Sequence, residues 1–490
     1  MTAPAAAPPA VGVRTECHKA PRIAALQAYR ALAERFGRDQ VFLLESAAGP
    51  VRDRRYEFVG FGELLSVSVT GGSVRVDGVP PLRTELLRRV APLLEQDGAA
   101  WRLRELRDLW PLLRAVQSAF DAQGSADRFR FGFLGYFGYD TARYIEDLPH
   151  RIRRRPDLPD VHLVLHQGCL AADLATGESR LLLHASPHWP ALDADELIAL
   201  LARAEPAAAE PDTVPEADVA DDTTPRAFRD DVERCLRHIA VGDIYQVQIG
   251  HELSMRSTAD PVDVYRRLCR RNPSPYMYLA AVGGHTVIGA SPELFVRVED
   301  GAVTMRPIAG TTPRHRTDDE AAARWLRTDE KEVAEHTMLV DLCRNDIGRI
   351  ARQDTLAVPD RLTVERYSHV LHLVSTVQGR LEAGRDNYDV IAALFPAGTM
   401  TGTPKIRAME IIEEVEHSRR GLYAGALGLI DVGGYMNLAL CIRTLFHHDG
   451  EYRTRASAGI VADSLPDREW TETLAKMNAA CWAVTGRELV

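Results

Sequence analysis

MYLAAVGGHTVIGA (residues 277–290), ELFVRVEDGAVTMRPI (293–308) and TLFHHDGEYRTRASAGIV (444–461) decide the fold class. Each is a pair of β-branched and aromatic runs broken by a turn, at Gly283–Gly284, Asp300–Gly301 and Asp449–Gly450. Such pairs read as antiparallel hairpins. Residues 423–442 read the same way, turning at Gly433–Gly434. This stretch comes nearest to a membrane span, but Asp431, Asn437 and its glycines argue against one. Upstream, PRAFRDDVERCLRHIAVGD (225–243) has helical spacing and YQVQIGHELSM (245–255) reads as a strand. Helical patterns fill 318–346 and TPKIRAMEIIEEVE (403–416). Hairpins with segregated helices imply an α+β fold, with layered antiparallel sheets flanked by helices. There is no GxGxxG, Walker loop, HExxH or short-period repeat.

Further toward the N-terminus, RYEFVGFG (55–62) and LLSVSVTGGSVRVDG (64–78) suggest a meander, and residues 99–120 show apolar side chains at helical spacing. One composition shift stands out. AEPAAAEPDTVPEADVADDTTP (204–225) is rich in Ala, Pro, Glu and Asp and nearly lacks large apolar residues. It reads as a linker or long loop between an N-terminal domain, 1–203, and a catalytic domain, 226–490. The start, MTAPAAAPPA, has no basic-then-apolar leader and reads as a short disordered tail.

The chain has 490 residues and a formal net charge of −10, from 59 basic and 69 acidic side chains. That balance is poor for nucleic acid but leaves room for a local cationic pocket. Seven scattered cysteines without a CxxC argue against a disulfide framework or a thiolate zinc site, and a reducing cytoplasm is the expected setting.

Two clusters could carry chemistry. In DREWTETLAKMN, Glu469, Glu472 and Lys476 share one helical face, and AEHTMLVD puts Glu335 on another helix. Carboxylates from two helices facing one cavity suit a hard cation such as Mg²⁺, although the spacing alone favours a solvated face with an ordinary salt bridge. In FPAGTMTGTPK, Gly398, Thr399, Thr401 and Gly402 precede a helix and could cradle a carboxylate or simply form a turn and cap. Arg443, in the apolar run LALCIRTLF, must find an anionic partner. Glu293 and His372 are likewise polar residues in apolar strands.

Together these segments resemble the chorismate-binding enzyme family, in its anthranilate synthase component I branch. GDIYQVQIG, NPSPYMYL, GASPELFVR, PIAGTTPR, EHTMLVDLCRND, YSHVLHLVS, PAGTMTGTPKIRAMEII, CIRT and SAGIVADSLPDREWTET occur in the family's order. The resemblance implies that Glu335 and Glu472, with Glu469 alongside, hold Mg²⁺ on the ring carboxylate of chorismate. It implies that Arg443, Tyr423, Lys476 and the backbone near Gly459 hold the enolpyruvyl carboxylate, and that Thr399 bonds near the ring carboxylate. Glu293 matches the acid that protonates the leaving C4 oxygen while ammonia adds at C2. His372 matches the histidine implicated in expelling pyruvate.

Isochorismate- and salicylate-forming relatives carry a lysine base where this chain has Gln246, and many aminodeoxychorismate synthases carry a nucleophilic lysine where it has Ala309. Both differences point to direct ammonia addition. FLLESAAG matches the tryptophan-binding motif through Leu44, Glu45 and Ser46, with Asn272, Pro275, Tyr276 and Met277 completing that site and implying feedback inhibition. No glutaminase segment is present, so the resemblance implies a separate glutamine amidotransferase subunit.

The expected activity is therefore Mg²⁺-dependent conversion of chorismate and ammonia to anthranilate and pyruvate, a lyase reaction of tryptophan biosynthesis. Several positions depart from the commonest anthranilate synthase pattern. They are Asn437 for Asp, Thr403 for Ala, Ser457 for Gly, Trp470 for Tyr, and YQVQIGHEL against the common FQVVLS type. They leave two alternatives open: a 2-amino-2-deoxyisochorismate synthase that keeps the enolpyruvyl group, and an aminodeoxychorismate synthase without the covalent lysine. A ligand-binding regulator built on a dead synthase is argued against by the intact set Glu293, Glu335, His372, Arg443 and Glu472.

Overall fold

The computed structural model describes residues 10–50, 52–98, 100–124, 128–153, 158–206, 213–314, 318–367 and 370–489. Two long strands organise it. Tyr56–Thr70 and Val161–Asp173 pair antiparallel along their length, with a register break between Glu63 and Leu65. A break of this kind bends and twists a strand, so each half can serve a different sheet.

From the first half of Tyr56–Thr70, one sheet runs through Val41–Glu45, Tyr276–Val282, His285–Ser291, Thr444–His448 and Glu451–Ile460 to Gln246–Ser257. From the first half of Val161–Asp173, the other runs through Gly132–Phe137, Ala426–Asp431, Met436–Leu440, Leu294–Glu299 and Ala302–Met305 to Val370–Arg380. Among the described residues the only parallel pairing is Val11–Ala20 with Phe120–Gly124.

Side-chain alternation shows how the layers stack. Phe42, Tyr278, Val287, Leu134, Tyr136, Leu427 and Leu429 meet in one cluster between the sheets. Val41, Leu43, Leu279 and Ile288 turn the other way, against helices Ala25–Phe36, Pro261–Arg271 and Pro466–Thr485. Phe133, Phe137, Ala426 and Ile430 turn toward helices Leu109–Gln117, Glu330–Gly348 and Asn387–Leu394. The result is helices, sheet, sheet, helices, as the expected layered α+β class requires.

The hairpins form at the turns expected. Other expectations need correction. The meander forms with fewer breaks than expected: one long strand, Tyr56–Thr70, runs through 55–62 and the start of 64–78, and Ser73–Gly78 folds back on it. Of 99–120 only Leu109–Gln117 is α-helical, because Trp101 and Leu103 alternate with arginines in a strand, Ala100–Leu103, that pairs with Ser73–Gly78 and Leu94–Asp97. The helical run 318–346 breaks at Asp329, whose side chain accepts from Glu332 N and caps a second helix. Within 204–225, Ala217–Asp221 is a strand on Gln246–Ser257, while residues 207–212 and the tail residues 1–9 lie outside the described residues. All seven cysteines are unpaired as disulfides. Among the described residues, no helix is long and apolar enough to cross a membrane.

Candidate active site

Acidic side chains of the two helices come within electrostatic reach of one another. Burial and the nearby Glu472 hold the Glu335 carboxyl above its ordinary range, against the pull of Lys331 and Lys476. Burial, then Glu472, does the same to Glu469, despite its bond from Ser464. Glu332, one turn before Glu335, feels burial first and then Glu335 and Glu472. Repulsion by Glu472 on both Glu332 and Glu335, far apart in sequence, puts these carboxylates near one space, with Glu469 beside Glu472 on its own helix. Lys476 Nζ lies 2.5 Å from Glu472 Oε1 and donates to the Ser457 carbonyl at 2.8 Å. A set of hard oxygen donors facing each other across two helices fits a divalent cation such as Mg²⁺.

Arg443 connects this space to the acid. Its backbone is left-handed, with φ 51°, between strands Met436–Leu440 and Thr444–His448. That turn aims a guanidinium inward from the end of a buried strand. No hydrogen bond or ion pair to its side chain occurs among the described residues, yet Tyr423, Glu472 and Glu293 all act on it electrostatically. Glu293 is nine-tenths buried, and burial pushes its carboxyl up to about 8, against weaker pulls from Thr399 and Arg443. Thr399 Oγ1 donates to Glu293 Oε1 at 3.4 Å. So Thr399 touches the acid here, rather than standing apart from it.

Opposite, Gln246 and Gln248 share one face of strand Gln246–Ser257, because Val247 and Ile249 between them pack into another cluster. A Cβ placed on Gly459 would sit 2.9 Å from Nε2 of both glutamines. Tyr423 and Ser457 share a short hydroxyl–hydroxyl bond, and Ser457 Oγ donates to Gln248 Oε1 at 3.1 Å.

A buried ion cluster holds these parts in place. Glu416 accepts from Arg420 (2.8 Å), Arg455 (2.9 Å) and the Gly250 amide (3.0 Å). Arg420 in turn donates to the Met400 and Gln248 carbonyls, both at 2.7 Å. One guanidinium thus fixes the Thr399 turn against the glutamine strand. Arg420 and Glu416 could not be linked to the site from sequence, because both look like surface charge in HSRRG and EEVEH.

His372 lies on Val370–Arg380 next to Ile308–Pro313, which carries Ala309 opposite Leu373. Burial lowers its imidazole to about 4, so it is neutral near pH 7. Its ring sits edge-on to Tyr367 at 5.0 Å. From Tyr367 a buried chain leads away: Tyr367 donates to Glu365 at 3.4 Å, Arg306 bridges Glu365 and Asp53, and Asp53 also accepts from Tyr276 at 3.3 Å. Asp53, Arg306 and Glu365 were not singled out in the sequence, although an arginine in VTMRPI gave the same signal as Arg443.

That chain ends at a pocket between the sheets. Leu44, Glu45, Ser46, Pro275, Tyr276 and Met277 line it, with Asp53 and Arg297. Two expectations for a tryptophan site change. Asn272 is not among the lining residues; it ends helix Pro261–Arg271 and reaches the Ala290 carbonyl. The Glu45 carboxylate already accepts from the Tyr265 hydroxyl at 2.5 Å.

Among the described residues, the one group that brings three ligand atoms within 4.8 Å of one another is Asp221, Asp222 and His251; the glutamates of the two helices stand farther apart than that. The atoms of this group are committed elsewhere. His251 bonds Asp221 and Thr473, both at 2.8 Å, and Asp222 accepts from Glu252 N and Ser418. It ties strand Ala217–Asp221 to the last helix.

Residues 90–481 match the family described as chorismate binding enzyme. The chain is 69% identical to 2-amino-4-deoxychorismate synthase of Streptomyces globisporus, covering 98% of both chains. It is 40% identical to anthranilate synthase component 1 of Streptomyces coelicolor, covering 94% of this chain and 86% of that one. The solved anthranilate synthase component I of Streptococcus pneumoniae superposes with TM-score 0.70 at 30% identity, over 87% of this chain and 92% of that one. The expectation of a lyase of the anthranilate synthase component I type is overturned. The relative at 69% carries a different activity, and anthranilate synthases stand far lower.

Proposed function

Because the chain belongs to the chorismate-binding enzyme family and uses chorismate, we propose that it forms 2-amino-4-deoxychorismate from chorismate and ammonia and retains the enolpyruvyl group. That name puts nitrogen on C2 and removes oxygen from C4. Both alternatives kept open above share this retained side chain, so the 69% relative favours them over anthranilate formation.

One observation carries the chemistry: a buried Glu293, protonated at neutral pH, beside Thr399 and facing Arg443. The nitrogen lone pair forms the C2–N bond. The ring π electrons shift around the diene, and the C4–O bond breaks. Glu293 gives its proton to that oxygen, which leaves as water, and the ammonium formed on C2 loses one proton. Arg443 and Lys476 supply donors for the enolpyruvyl carboxylate, Arg as a fork and Lys as a point charge, while the Tyr423 hydroxyl is engaged with Ser457. Glu335, Glu472 and Glu469 would hold Mg²⁺, which when bound offsets charge on the ring carboxylate. Gln246 brings no amine to activate water, and Ala309 brings no nucleophile, which supports direct ammonia attack.

A neutral His372 is a competent base whether or not pyruvate leaves, so it does not choose between products. In this reading ammonia comes from a separate glutamine amidotransferase subunit, and ammonium salts replace it in vitro. The inter-sheet pocket supports a regulatory reading as well. An aromatic amino acid such as tryptophan would bind there if its ammonium took Glu45 from Tyr265.

The test of the product reading is a pyruvate assay. With chorismate, Mg²⁺ and ammonium, chorismate disappears without stoichiometric pyruvate and without anthranilate fluorescence. One pyruvate per chorismate consumed defeats the proposal.

A further inference from the structure

Two of the positions at which this chain departs from the common anthranilate synthase pattern touch each other inside the site. By the resemblance described above, Gln248 stands where FQVVLS-type sequences would have valine, and Ser457 where glycine would stand. Their strands pair with Gln248 opposite Gly459 and Ser457 two residues along. Ser457 Oγ donates to Gln248 Oε1 at 3.1 Å, so its other hydroxyl bond, with Tyr423, must be one it accepts. The relay therefore runs from Tyr423 to Ser457 to the amide oxygen, and it leaves the Gln248 NH₂ turned toward Gly459.

Gln246 adds a second amide at the same place. It is only 3% exposed, and its side chain has no hydrogen-bond partner among the described residues. The Lys476 ammonium, held by Glu472 and the Ser457 carbonyl, lies on the same side, and among the described residues no side-chain acceptor bonds either glutamine NH₂ where the two meet at Gly459. An anionic oxygen is the ligand such a set takes.

We infer that Gln248, locked by Ser457 and Tyr423, is a specificity-determining residue that holds the enolpyruvyl carboxylate of the aminated product and prevents loss of pyruvate. This rests on the product reading above. Pyruvate loss needs a base to remove the C2 proton, that electron pair to form C2=C3, and the C3–O pair to leave with the enolpyruvyl group. The two breaking bonds must be aligned. A carboxylate pinned by an extra amide keeps the C3–O bond out of line with C2–H. Valine and glycine at these positions would remove both the amide and its brace, and the side chain could turn.

The test compares the parent with the Gln248→Val/Ser457→Gly double variant and with Gln248→Glu, using chorismate, Mg²⁺ and ammonium. Pyruvate released per chorismate consumed rises about tenfold in the double variant, the effect of losing one charge-assisted bond. Gln248→Glu keeps the bond from Ser457 but puts a carboxylate against a carboxylate, raising the chorismate KM about tenfold or more with a smaller change in kcat. A double variant with the parent's melting temperature and the parent's pyruvate ratio overturns the inference, as does an unchanged KM in Gln248→Glu. Stoichiometric pyruvate from the parent overturns the product reading, and this inference with it, an outcome told apart because it appears before any variant is made.

Discussion

Replacing Glu293 by glutamine keeps the shape of the side chain and removes the proton that the leaving oxygen needs. In the parent, burial moves this carboxyl from 4.5 to about 8, with Thr399 and Arg443 opposing. At pH 7 about nine molecules in ten therefore carry the proton. The sign for stability follows directly. The native state holds this proton more tightly than the unfolded chain, so stability is undiminished below pH 4.5, falls as pH rises from there, and levels off above about 8. By pH 7 the loss is about 3 kcal/mol, at 1.4 kcal/mol per pH unit. Glutamine has no such penalty, and its amide oxygen can still accept from Thr399. Glu293→Gln should then be more stable than the parent by a few kcal/mol at pH 8 and equal to it near pH 4.5. It should also lose about 10²- to 10⁴-fold in kcat, the usual worth of a general acid. Urea unfolding at several pH values reads the first effect and a chorismate-depletion assay the second. In the parent, kcat/KM should fall above pH 8, where the acid loses its proton. A variant that turns over normally, or a stability difference independent of pH, would refute the assignment of Glu293.

Glu335→Gln removes one anionic oxygen from the acidic set. The Mg²⁺ concentration for half-maximal activity should rise at least about tenfold, as metal titration would show; an unchanged midpoint removes Glu335 from the metal site. Glu416→Ala strands two buried guanidinium groups. It should lower unfolding free energy by about 3–5 kcal/mol, measured by urea denaturation, and a loss below 1 kcal/mol would contradict the role given to that cluster. Ser46→Phe fills the inter-sheet pocket. If tryptophan binds there, calorimetry should show its heat of binding in the parent and none in the variant, with chorismate turnover kept in both.

Much of the fold was readable because its signals are local. Glycine turns between β-branched runs place the hairpins, and the period-two alternation is what sorts Tyr278 from Leu279 into different layers. The layering was expected, but how one strand pair serves both sheets was not readable, since it depends on a register break at Glu63–Leu65 with no compositional mark. The short strand Ala100–Leu103 was hidden by the helical spacing downstream of it. In the site, Glu335, Glu472, Glu293 and Arg443 stood out as charges in apolar or motif-bearing stretches. Gln248, Ser457 and Arg420 did not, because each owes its role to a partner far along the chain and none breaks a local pattern. The departures at Gln248 and Ser457 were visible singly; that the two form one hydrogen-bonded pair is a property of the folded strands.

The product decides the account. Incubation with chorismate, Mg²⁺ and ¹⁵N-ammonium, followed by mass and NMR analysis, should give one compound with the label bonded to C2, no oxygen on C4 and both enolpyruvyl methylene protons present. Labelled anthranilate with free pyruvate, or label on C4, would contradict it.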